Sequence, residues 1–422
     1  MSGSAPLITD ATPSRSPMQR LSDLRRLGGA DAVDPVHSGI DLPRFVVMHI
    51  AGAVFPVTAG VLLFGWRALL SVCLVVGSAM LATVIWRRVG GRGRRLRFDH
   101  IAWLALLLAL MLPAHLLSSV DPATSKPFAG WPLLAGAGIV LVVMVWLMGG
   151  PGSGRIHPVL VSYLILTVLF LDLLVPHYTL RRQHVFLGDL LNAVPATPSP
   201  TQSDRSRDAW IVSAAPTDEH HAIRSDPGAV RLEAFTGGHE APERARLSLE
   251  SLVRDRLPPL EDLIVGGEPA AIGCGSAIAV IIGGLFLLYR GVIDYRVPLL
   301  ICVTALACFI VLPVPVMLTD RAPEYSWLVS RSPGVGWALG LTFANYELMA
   351  SPLLFTAFFL ATAPAIRPLA RRARAVYAVL IGIAAALFQL YVSVSIGPYL
   401  ALMAVSLLTP LLDHLIRPRT LV

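Results

Sequence analysis

The sequence predicts an all-α polytopic membrane protein, with about ten transmembrane helices arranged as two inverted repeats of five. Hydrophobic residues make up 55% of the 422 positions and charged residues only 14%, and the mean hydropathy is +0.67. A soluble domain of this length would need far more charge. The net charge of +7 comes from arginines that lie at the ends of apolar runs, which is typical of cytoplasmic loops.

The first five-helix repeat is predicted over residues 44–175, behind a cytoplasmic N-terminal tail of residues 1–43. A tight F-G-W-R turn at 64–67 joins the first two apolar runs. The loop at 87–97 holds six arginines, which assigns it to the cytoplasm. Because two spans precede this loop, the N-terminus is predicted to lie in the cytoplasm as well. Pro113 is expected to kink the third span. The five apolar runs are residues 45–65, 66–86, 100–118, 131–148 and 159–175.

A long hydrophilic segment, residues 176–270, is predicted to lie outside the membrane. Acidic residues outnumber its ten arginines, so it lacks the positive bias of a cytoplasmic loop, and the count of spans also places it outside. The second five-helix repeat follows at 271–416, and a cytoplasmic end at 417–422. The spans of this repeat are predicted at 271–289, 297–318, 338–361, 375–391 and 396–413.

The two halves echo each other. LLLALMLPAHLLSSVDP in the third span resembles LLFTAFFLATAPAIRP in the eighth, and IHPVLVSYLIL in the fifth resembles IGPYLALMAVSL in the tenth. Because five is an odd number, the halves would cross the bilayer in opposite directions, and ligand sites of such repeats form at broken helices. The glycine-rich segment at 267–276 is such a break, because its glycines and proline disfavour a helix interior. It can present backbone groups to a ligand.

The remaining composition excludes several classes of protein. The basic charge belongs to cytoplasmic loops of a chain in the lipid bilayer, so no nucleic-acid binding is expected. The cysteines lie singly in apolar segments without any C-x-x-C, which argues against disulfides and against an iron–sulfur site made by this chain alone. These cysteines are Cys73, Cys274, Cys302 and Cys308.

Several motifs carry a family resemblance. FGWRALL, LLLALMLP, GGLFLLYRGVIDYRVP, AFFLAT-P and LLTPLLDHLIRPR are similar to the D subunit of the Rnf ion-translocating electron-transport complex and to the B subunit of the sodium-pumping NADH:quinone oxidoreductase. The resemblance implies a urea-transporter-like architecture in a bacterial inner membrane. It also implies electron transfer coupled to cation transport, and partner subunits that include a flavoprotein on the external face.

The resemblance further implies flavin mononucleotide (FMN) esterified to a threonine in an S-G-A-T motif. The corresponding segment here is NAVPATP at 192–198, which makes Thr197 the candidate for covalent FMN. Gly273 and Ser276 of the glycine-rich segment are the other candidate cofactor-binding residues. We assign no catalytic residue and no metal ligand. The chain is expected to be one subunit of an enzyme complex and not a complete enzyme by itself.

The sequence departs from the family pattern at several polar positions. S-G-A-T is absent, and P-G-S-I-G-E-T-S becomes P-A-A-I-G-C-G-S, which places Cys274 where the family has an acid. A-T-D-P becomes A-T-A-P, with Ala363 in place of the acid. The family's segment reads roughly G-G-x-G-x-N-x-x-N-P, and the positions that resemble its two asparagines, which lie near the flavin, are Arg155 and His157 here. Arg155 either holds an anionic group or is a cytoplasmic anchor.

Three functions are therefore compatible with the sequence. The first is a flavin-carrying membrane subunit of an ion-motive electron-transport complex. The second is a flavin-free paralogue that serves as a structural subunit of a related assembly. The third is a channel or transporter for a small polar solute, by analogy with urea transporters, because a fold by itself does not determine a function.

Overall fold

The computed structural model describes residues 42–89, 96–117, 130–149, 156–174, 264–266, 270–316, 324–326 and 337–416. Their regular structure is helical except for one antiparallel pair of short strands, β1 (Val314–Val316) and β2 (Glu324–Ser326). Thr197, Arg155, the N-terminal tail up to residue 41 and residues 90–95 of the arginine loop lie outside the described ranges.

Ten helices of more than ten residues follow one another within these ranges. They are α1 (Leu42–Phe64), α2 (Trp66–Val89), α3 (Phe98–Met111), α4 (Trp131–Leu147), α5 (Pro158–Leu169), α6 (Ala277–Tyr289), α7 (Arg296–Val311), α8 (Trp337–Ala350), α9 (Arg371–Tyr391) and α10 (Gly397–Leu407).

The lengths of these helices support a polytopic membrane protein. Three of them, α1, α2 and α9, are long and apolar enough to cross a bilayer. Two further pairs of helices are long and apolar enough only when the two members are taken together. α8 and Leu353–Leu360 are bent by 63° at the break between them, and α10 and Thr409–Leu415 are bent by 44°. The other five, α3 to α7, are shorter and apolar. Large apolar side chains such as Val47, Leu81 and Leu285 are exposed along the helices, as lipid contact requires.

Two helix ends differ from the sequence prediction. The third span was expected to kink at Pro113 and continue to residue 118, but α3 ends at Met111. The proline forces the residue before it out of the helical region, and Leu112 is extended, with φ −90° and ψ 147°. The sixth span was expected from residue 271, but α6 begins only at Ala277, after the glycine-rich segment. The tight turn between α1 and α2 is confirmed, with Gly65 at a φ of 75°.

In the first half, α2 and α4 approach each other through a glycine. A Cβ atom on Gly138 of α4 would lie 2.5 Å from the Val75 carbonyl oxygen of α2 and would collide with the Ser78 side chain. The Ser78 hydroxyl donates to that same carbonyl at 3.0 Å. Only glycine therefore fits at this crossing.

In the second half, α7 and α9 meet in the same way. A Cβ atom on Gly382 of α9 would lie 2.8 Å from the Ile301 carbonyl oxygen of α7 and would collide with the Thr304 side chain. The Thr304 hydroxyl donates to the Leu300 carbonyl and, at 3.2 Å, also to the Ile301 carbonyl. Each half thus places a glycine against a hydroxyl residue and the carbonyl three positions before it.

The two halves join along α1 and α6 and along α5 and α10. A Cβ atom on Gly283 of α6 would lie 2.6 Å from the Gly52 carbonyl oxygen of α1, so the two backbones are in contact. Tyr163 of α5 and Tyr399 of α10 stack edge to face, with ring centroids 5.0 Å apart. Both junctions are buried.

Candidate functional site

The glycine-rich segment lies against the broken end of α3. Ala271 forms an isolated antiparallel bridge with Pro113, and the Ile272 N–H donates to the Leu112 carbonyl at 3.0 Å. Backbone groups freed by a break in a membrane helix need such partners, because lipid offers none. The two breaks, one in each half of the chain, therefore satisfy each other.

Gly273 continues this pairing, since its N–H donates to the Leu110 carbonyl at 2.7 Å. A Cβ atom at Gly273 would lie 2.7 Å from the Leu110 Cβ, and one at Gly275 would lie 2.8 Å from the Phe64 ring. Both positions therefore require glycine for close packing. The flavin contact predicted for Gly273 stays a prediction, and its N–H is engaged by Leu110 here.

Ser276 is the N-cap residue of α6. Its hydroxyl oxygen accepts from the Ala279 N–H at 3.4 Å, and its hydroxyl donates to the Ile264 carbonyl at 3.2 Å. Serine is favoured at this position because it pairs an otherwise orphaned N–H of the first turn. The flavin contact predicted for Ser276 also stays a prediction.

Cys274 faces the junction of the two halves. Its Sγ lies 3.9 Å from the Tyr399 hydroxyl oxygen, and the Tyr399 ring contacts Tyr163. The position at which the motif comparison predicts an acid thus holds a thiol, which lies beside a pair of buried tyrosine rings.

A second polar group lies at the other end of α3, around the indole of Trp103. The imidazole of His100, from the first turn of α3, is 5.5 Å from it between ring centroids. His49 of α1 is 5.4 Å away and His157, just before α5, is 6.3 Å away. His49 also meets the Phe359 ring at 5.8 Å, so the second half closes the group. We call His49, His100, His157 and Trp103 the histidine cluster.

The histidine cluster is almost fully buried, with exposed fractions of 0% for His49, 1% for His157, 3% for Trp103 and 7% for His100. In the described part of the chain, no hydrogen-bond partner meets either imidazole nitrogen of His49 or His157, the Nδ1 of His100 or the indole N–H. The Phe359 backbone faces His49 without reaching hydrogen-bonding geometry. Most buried polar atoms in proteins are paired, so this group is unusual.

Charged groups flank the cluster. Arg97 forms a partly exposed ion pair with Asp99 at 2.9 Å, beside His100. The Arg87 guanidinium stacks over the Phe98 ring at 4.6 Å. Among the residues that the structure describes, no group of three or more His, Cys, Asp or Glu side chains is arranged to hold a metal ion.

The second half has a more buried ion pair. Arg374, near the start of α9, lies 3.5 Å from Asp294, with side chains only 11% and 19% exposed. The same guanidinium donates to the carbonyls of Pro368 and Leu369, both at 3.0 Å. It therefore fixes the segment between the bent span and α9.

The structure thus brings together residues that sequence reasoning treated singly. His157 was noted only as a replacement for an asparagine, while His49 and His100 were missed. The three histidines are more than fifty positions apart, so no local motif joins them. The one available signal was the spacing of His100 and Trp103, which places them on one face of a helix.

Comparison with known proteins assigns the chain to a family. A family model described as "NQR2, RnfD, RnfE family" matches residues 34–422. The chain belongs to the NQR2, RnfD, RnfE family. The match covers both halves and the segment between them, so the family resemblance predicted from the motifs is confirmed.

Curated relatives match over most of their length. A protein of Yersinia pseudotuberculosis is 25% identical over 393 residues, which are 91% of this chain and 95% of the relative. A protein of Alcanivorax borkumensis is 24% identical over 368 residues, which are 85% of this chain and 86% of the relative. A protein of Halorhodospira halophila is 24% identical over 384 residues, which are 90% of this chain and 91% of the relative. Each is named as the D subunit of an ion-translocating oxidoreductase complex.

Proposed function

We propose that this chain is the membrane subunit of an Rnf/Nqr-like ion-motive electron-transport complex, in which electron transfer is coupled to cation transport. The observation that carries the proposal is the family match over residues 34–422, together with relatives named as the D subunit of an ion-translocating oxidoreductase complex. The chain works with other subunits, including a flavoprotein on the external face of the bacterial inner membrane. The purified single chain should therefore show no NADH-driven reduction of any acceptor.

The proposed architecture is ten spans in two inverted five-helix repeats, with both termini in the cytoplasm. The glycine crossings of Gly138 and Gly382 support the duplication, because each half uses the same contact between its second and fourth spans. The arginine loop at 87–97 supports the orientation. A C-terminal reporter should be active only in the cytoplasm; activity only outside would overturn the topology.

The proposal includes covalent FMN at Thr197, a flavin that would accept and pass on single electrons. In the sequence, Pro195 and Pro198 bracket this threonine, a pattern that disfavours a regular helix and would suit covalent attachment. In the glycine-rich segment, the Gly273 N–H and the Ser276 hydroxyl already donate to the carbonyls of Leu110 and Ile264. Gly273 and Ser276 would have to leave these partners to reach the flavin. The flavin part of the proposal therefore depends on Thr197.

The test is intact-mass measurement of the chain after co-expression with its flavin transferase. A mass increase of one flavin phosphate, located on the peptide with Thr197 and absent from Thr197→Ala, supports attachment. Thr197→Ala should leave the thermal unfolding midpoint unchanged, since Thr197 belongs to the hydrophilic segment between the two sets of predicted spans and not to a span. An unmodified wild-type chain, isolated from cells that load a relative bearing S-G-A-T, would rule attachment out.

A flavin-free structural subunit is the second candidate, and one observation favours it. Cys274 stands where the family has an acid, and its thiol packs against the buried Tyr399 hydroxyl. With S-G-A-T also absent, a flavin site and a cation site would have been lost together. An unmodified chain that still co-purifies with its partner subunits would establish this alternative. A chain that purifies alone and carries a polar solute would point instead to a urea-transporter-like channel.

A further inference from the structure

Arginines are concentrated at one end of the second half, where α6 ends and where α7 and α9 begin. The turn at 289–296 and the segment at 366–374 carry six arginines and one aspartate, Asp294. The ion pair between Asp294 and Arg374, at 3.5 Å, joins the two segments. The other arginines are Arg290, Arg296, Arg367, Arg371 and Arg372. One acid among six arginines leaves this end of the molecule with a large excess of positive charge.

The backbone around Arg367 is fixed on both sides. Before it, the Ile366 carbonyl accepts from the Thr409 hydroxyl at 2.9 Å. After it, the carbonyls of the next two residues accept from the Arg374 guanidinium, both at 3.0 Å. These contacts limit where the Arg367 side chain can lie, and a binding site needs such support from its surroundings.

The charge of Arg367 is only partly offset. Its side chain is half-buried. Burial lowers the pKa of Arg367 to about 10, repulsion by Arg374 lowers it as well, and attraction by Asp294 raises it. The guanidinium is still charged at neutral pH. Asp294 already pairs with Arg374 and accepts from the Arg296 N–H at 3.2 Å. Two guanidinium ions thus share one carboxylate, and a bound anion would stabilise the second.

Arg371 adds another cation on the same side. It is exposed in the first turn of α9, three positions before Arg374. Residues at this spacing share one face of a helix, so Arg371 lies on the side of the turn that holds Asp294. The first turn of α9 contains no acid, and its arginines therefore repel the positive end of the helix dipole. An anion beside Arg371 would relieve this repulsion.

The surroundings of these arginines favour a lipid headgroup as the anion. Tyr289 and Tyr295 are 88% and 57% exposed, and tyrosines beside arginines at the ends of spans are typical of the membrane interface. About one turn further along α6 and α7, the side chains of Leu285 and Leu299 are exposed, as lipid contact requires. A ligand at this level therefore lies among headgroups, next to acyl chains. The phosphate oxygens of a phospholipid match the donors of a guanidinium.

We propose that Arg296, Arg367 and Arg371 bind the phosphate group of an anionic phospholipid, at the end of the second half that is proposed to be cytoplasmic. The headgroup would lie against the first turns of α7 and α9, and the acyl chains along the exposed leucines of α6 and α7. Clusters of arginine at the cytoplasmic ends of spans attract anionic headgroups. The site depends neither on electron transfer nor on a flavin, so it can be tested on the single chain.

The test is native mass spectrometry of the full chain in micelles of a non-ionic detergent, titrated with dioleoylphosphatidylglycerol or with dioleoylphosphatidylcholine. The two lipids have the same acyl chains, so a difference in affinity reports on the headgroup. The first phosphatidylglycerol should bind at least about tenfold more tightly than the first phosphatidylcholine. Equal affinities would overturn the proposal.

Variants locate the bound lipid. Arg367→Gln should weaken phosphatidylglycerol at least about fivefold and leave phosphatidylcholine unchanged. Arg371→Gln, at an exposed position where folding is not at risk, should weaken it at least about threefold. Arg88→Gln is the matched control, because it also removes one exposed arginine near a helix end. It should change the affinity less than about twofold.

Two outcomes with these variants would overturn the site. An equal loss for Arg88→Gln and Arg371→Gln would show a general attraction to positive charge. Full affinity in a folded Arg371→Gln chain and a folded Arg367→Gln chain would show that the lipid binds elsewhere.

Other occupants of this surface are distinguished by competition. Inorganic phosphate at about 10 mM should not displace phosphatidylglycerol, because it lacks the acyl chains that contribute to binding. Displacement would assign the site to a soluble phosphate and overturn the lipid. Loss of the lipid when the chain assembles with its partner subunits would assign the surface to an acidic segment of a partner, and would also overturn the proposal.

Discussion

The crossing of α2 with α4 and the crossing of α7 with α9 are built alike, but the segments that lead into α5 and α10 are not. Both crossings press a glycine against a carbonyl and a hydroxyl residue. Before the last long helix of each half, the sequence reads Ile-His-Pro in the first and Ile-Gly-Pro in the second. His157 joins the histidine cluster, whereas Gly397 lies against the backbone of α9.

This difference separates packing from chemistry. A contact that holds two helices together recurs in both halves, because any replacement for its glycine would separate the helices. The position before the last long helix holds a polar side chain, His157, in the first half only. The equivalent position in the second half, Gly397, carries no polar side chain. The histidine cluster therefore belongs to the first half, and the second half contributes Phe359 as its cover.

The largest effect is expected at the shared crossings. Gly138→Leu and Gly382→Leu should each destabilise the protein by more than about 3 kcal/mol, because the added atoms meet backbone that cannot move aside. The yield of monodisperse protein and its thermal unfolding midpoint would measure this.

Gly136 offers the control for that experiment. It lies two positions from Gly138 on the same helix, and a Cβ atom there meets nothing within 4 Å. Gly136→Leu should fold normally. Equal stability of Gly136→Leu and Gly138→Leu would contradict the crossing, and a large loss at only one of Gly138 and Gly382 would contradict its equivalence in the two halves.

The next effect concerns the position where the halves differ. Gly397→His should cost about 3 kcal/mol, because its Cβ would lie 2.8 Å from the Gln389 backbone nitrogen and 2.9 Å from the Phe388 carbonyl carbon. His157→Gly should cost less, since it removes a side chain that makes no hydrogen bond to any described residue and leaves space that water can enter. Thermal unfolding of both variants in nanodiscs tests the order, and the reverse order would contradict it.

The ion pairs of the two halves should also differ in strength. Arg374→Ala should cost about 2 kcal/mol, because it leaves Asp294 and two carbonyls without their shared partner. Arg97→Ala should cost less than about 1 kcal/mol, because its pair with Asp99 is open to water. Arg372→Ala, at an exposed position beside Arg374, controls for the loss of charge. Similar losses for Arg374 and Arg372 would show that burial is not the cause.

The smallest effect is expected at the start of α6. Ser276→Ala should cost about 0.5–1 kcal/mol, since the hydrogen bond that caps the helix is long, at 3.4 Å. Ser276→Thr should retain most of that stability, because it keeps the hydroxyl. The midpoint of thermal unfolding would distinguish the two, and an alanine variant as stable as wild type would mean that the cap contributes nothing.

Much of the helical framework could be predicted from the sequence, because apolar length and arginine placement are local signals. All ten predicted spans overlap a described helix or bent pair. The break before Pro113 was harder to judge, since a proline in a membrane helix either kinks it or ends it. The partner that decided the outcome, the segment around Ala271, is distant in sequence.

The candidate site was predictable only in part, for the same reason. The glycine-rich segment was identified by its breakers, but the roles of its residues depend on contacts with α3 and Ile264. The histidine cluster joins residues from three separate spans, and neither spacing nor composition indicates that His49 and His157 meet.

The shortness of α3 has a consequence for how the protein is made. Its 14 residues extend only about 21 Å, against a hydrocarbon core of about 30 Å. Ten of them are buried among other helices, so α3 meets protein rather than lipid and escapes a hydrophobic mismatch. The donor for its Leu112 carbonyl, Ile272, stands 160 positions later in the chain (272 − 112). While the ribosome is still synthesising the intervening segment, the end of α3 lacks this partner, so the first half reaches its final form only after the second begins to insert.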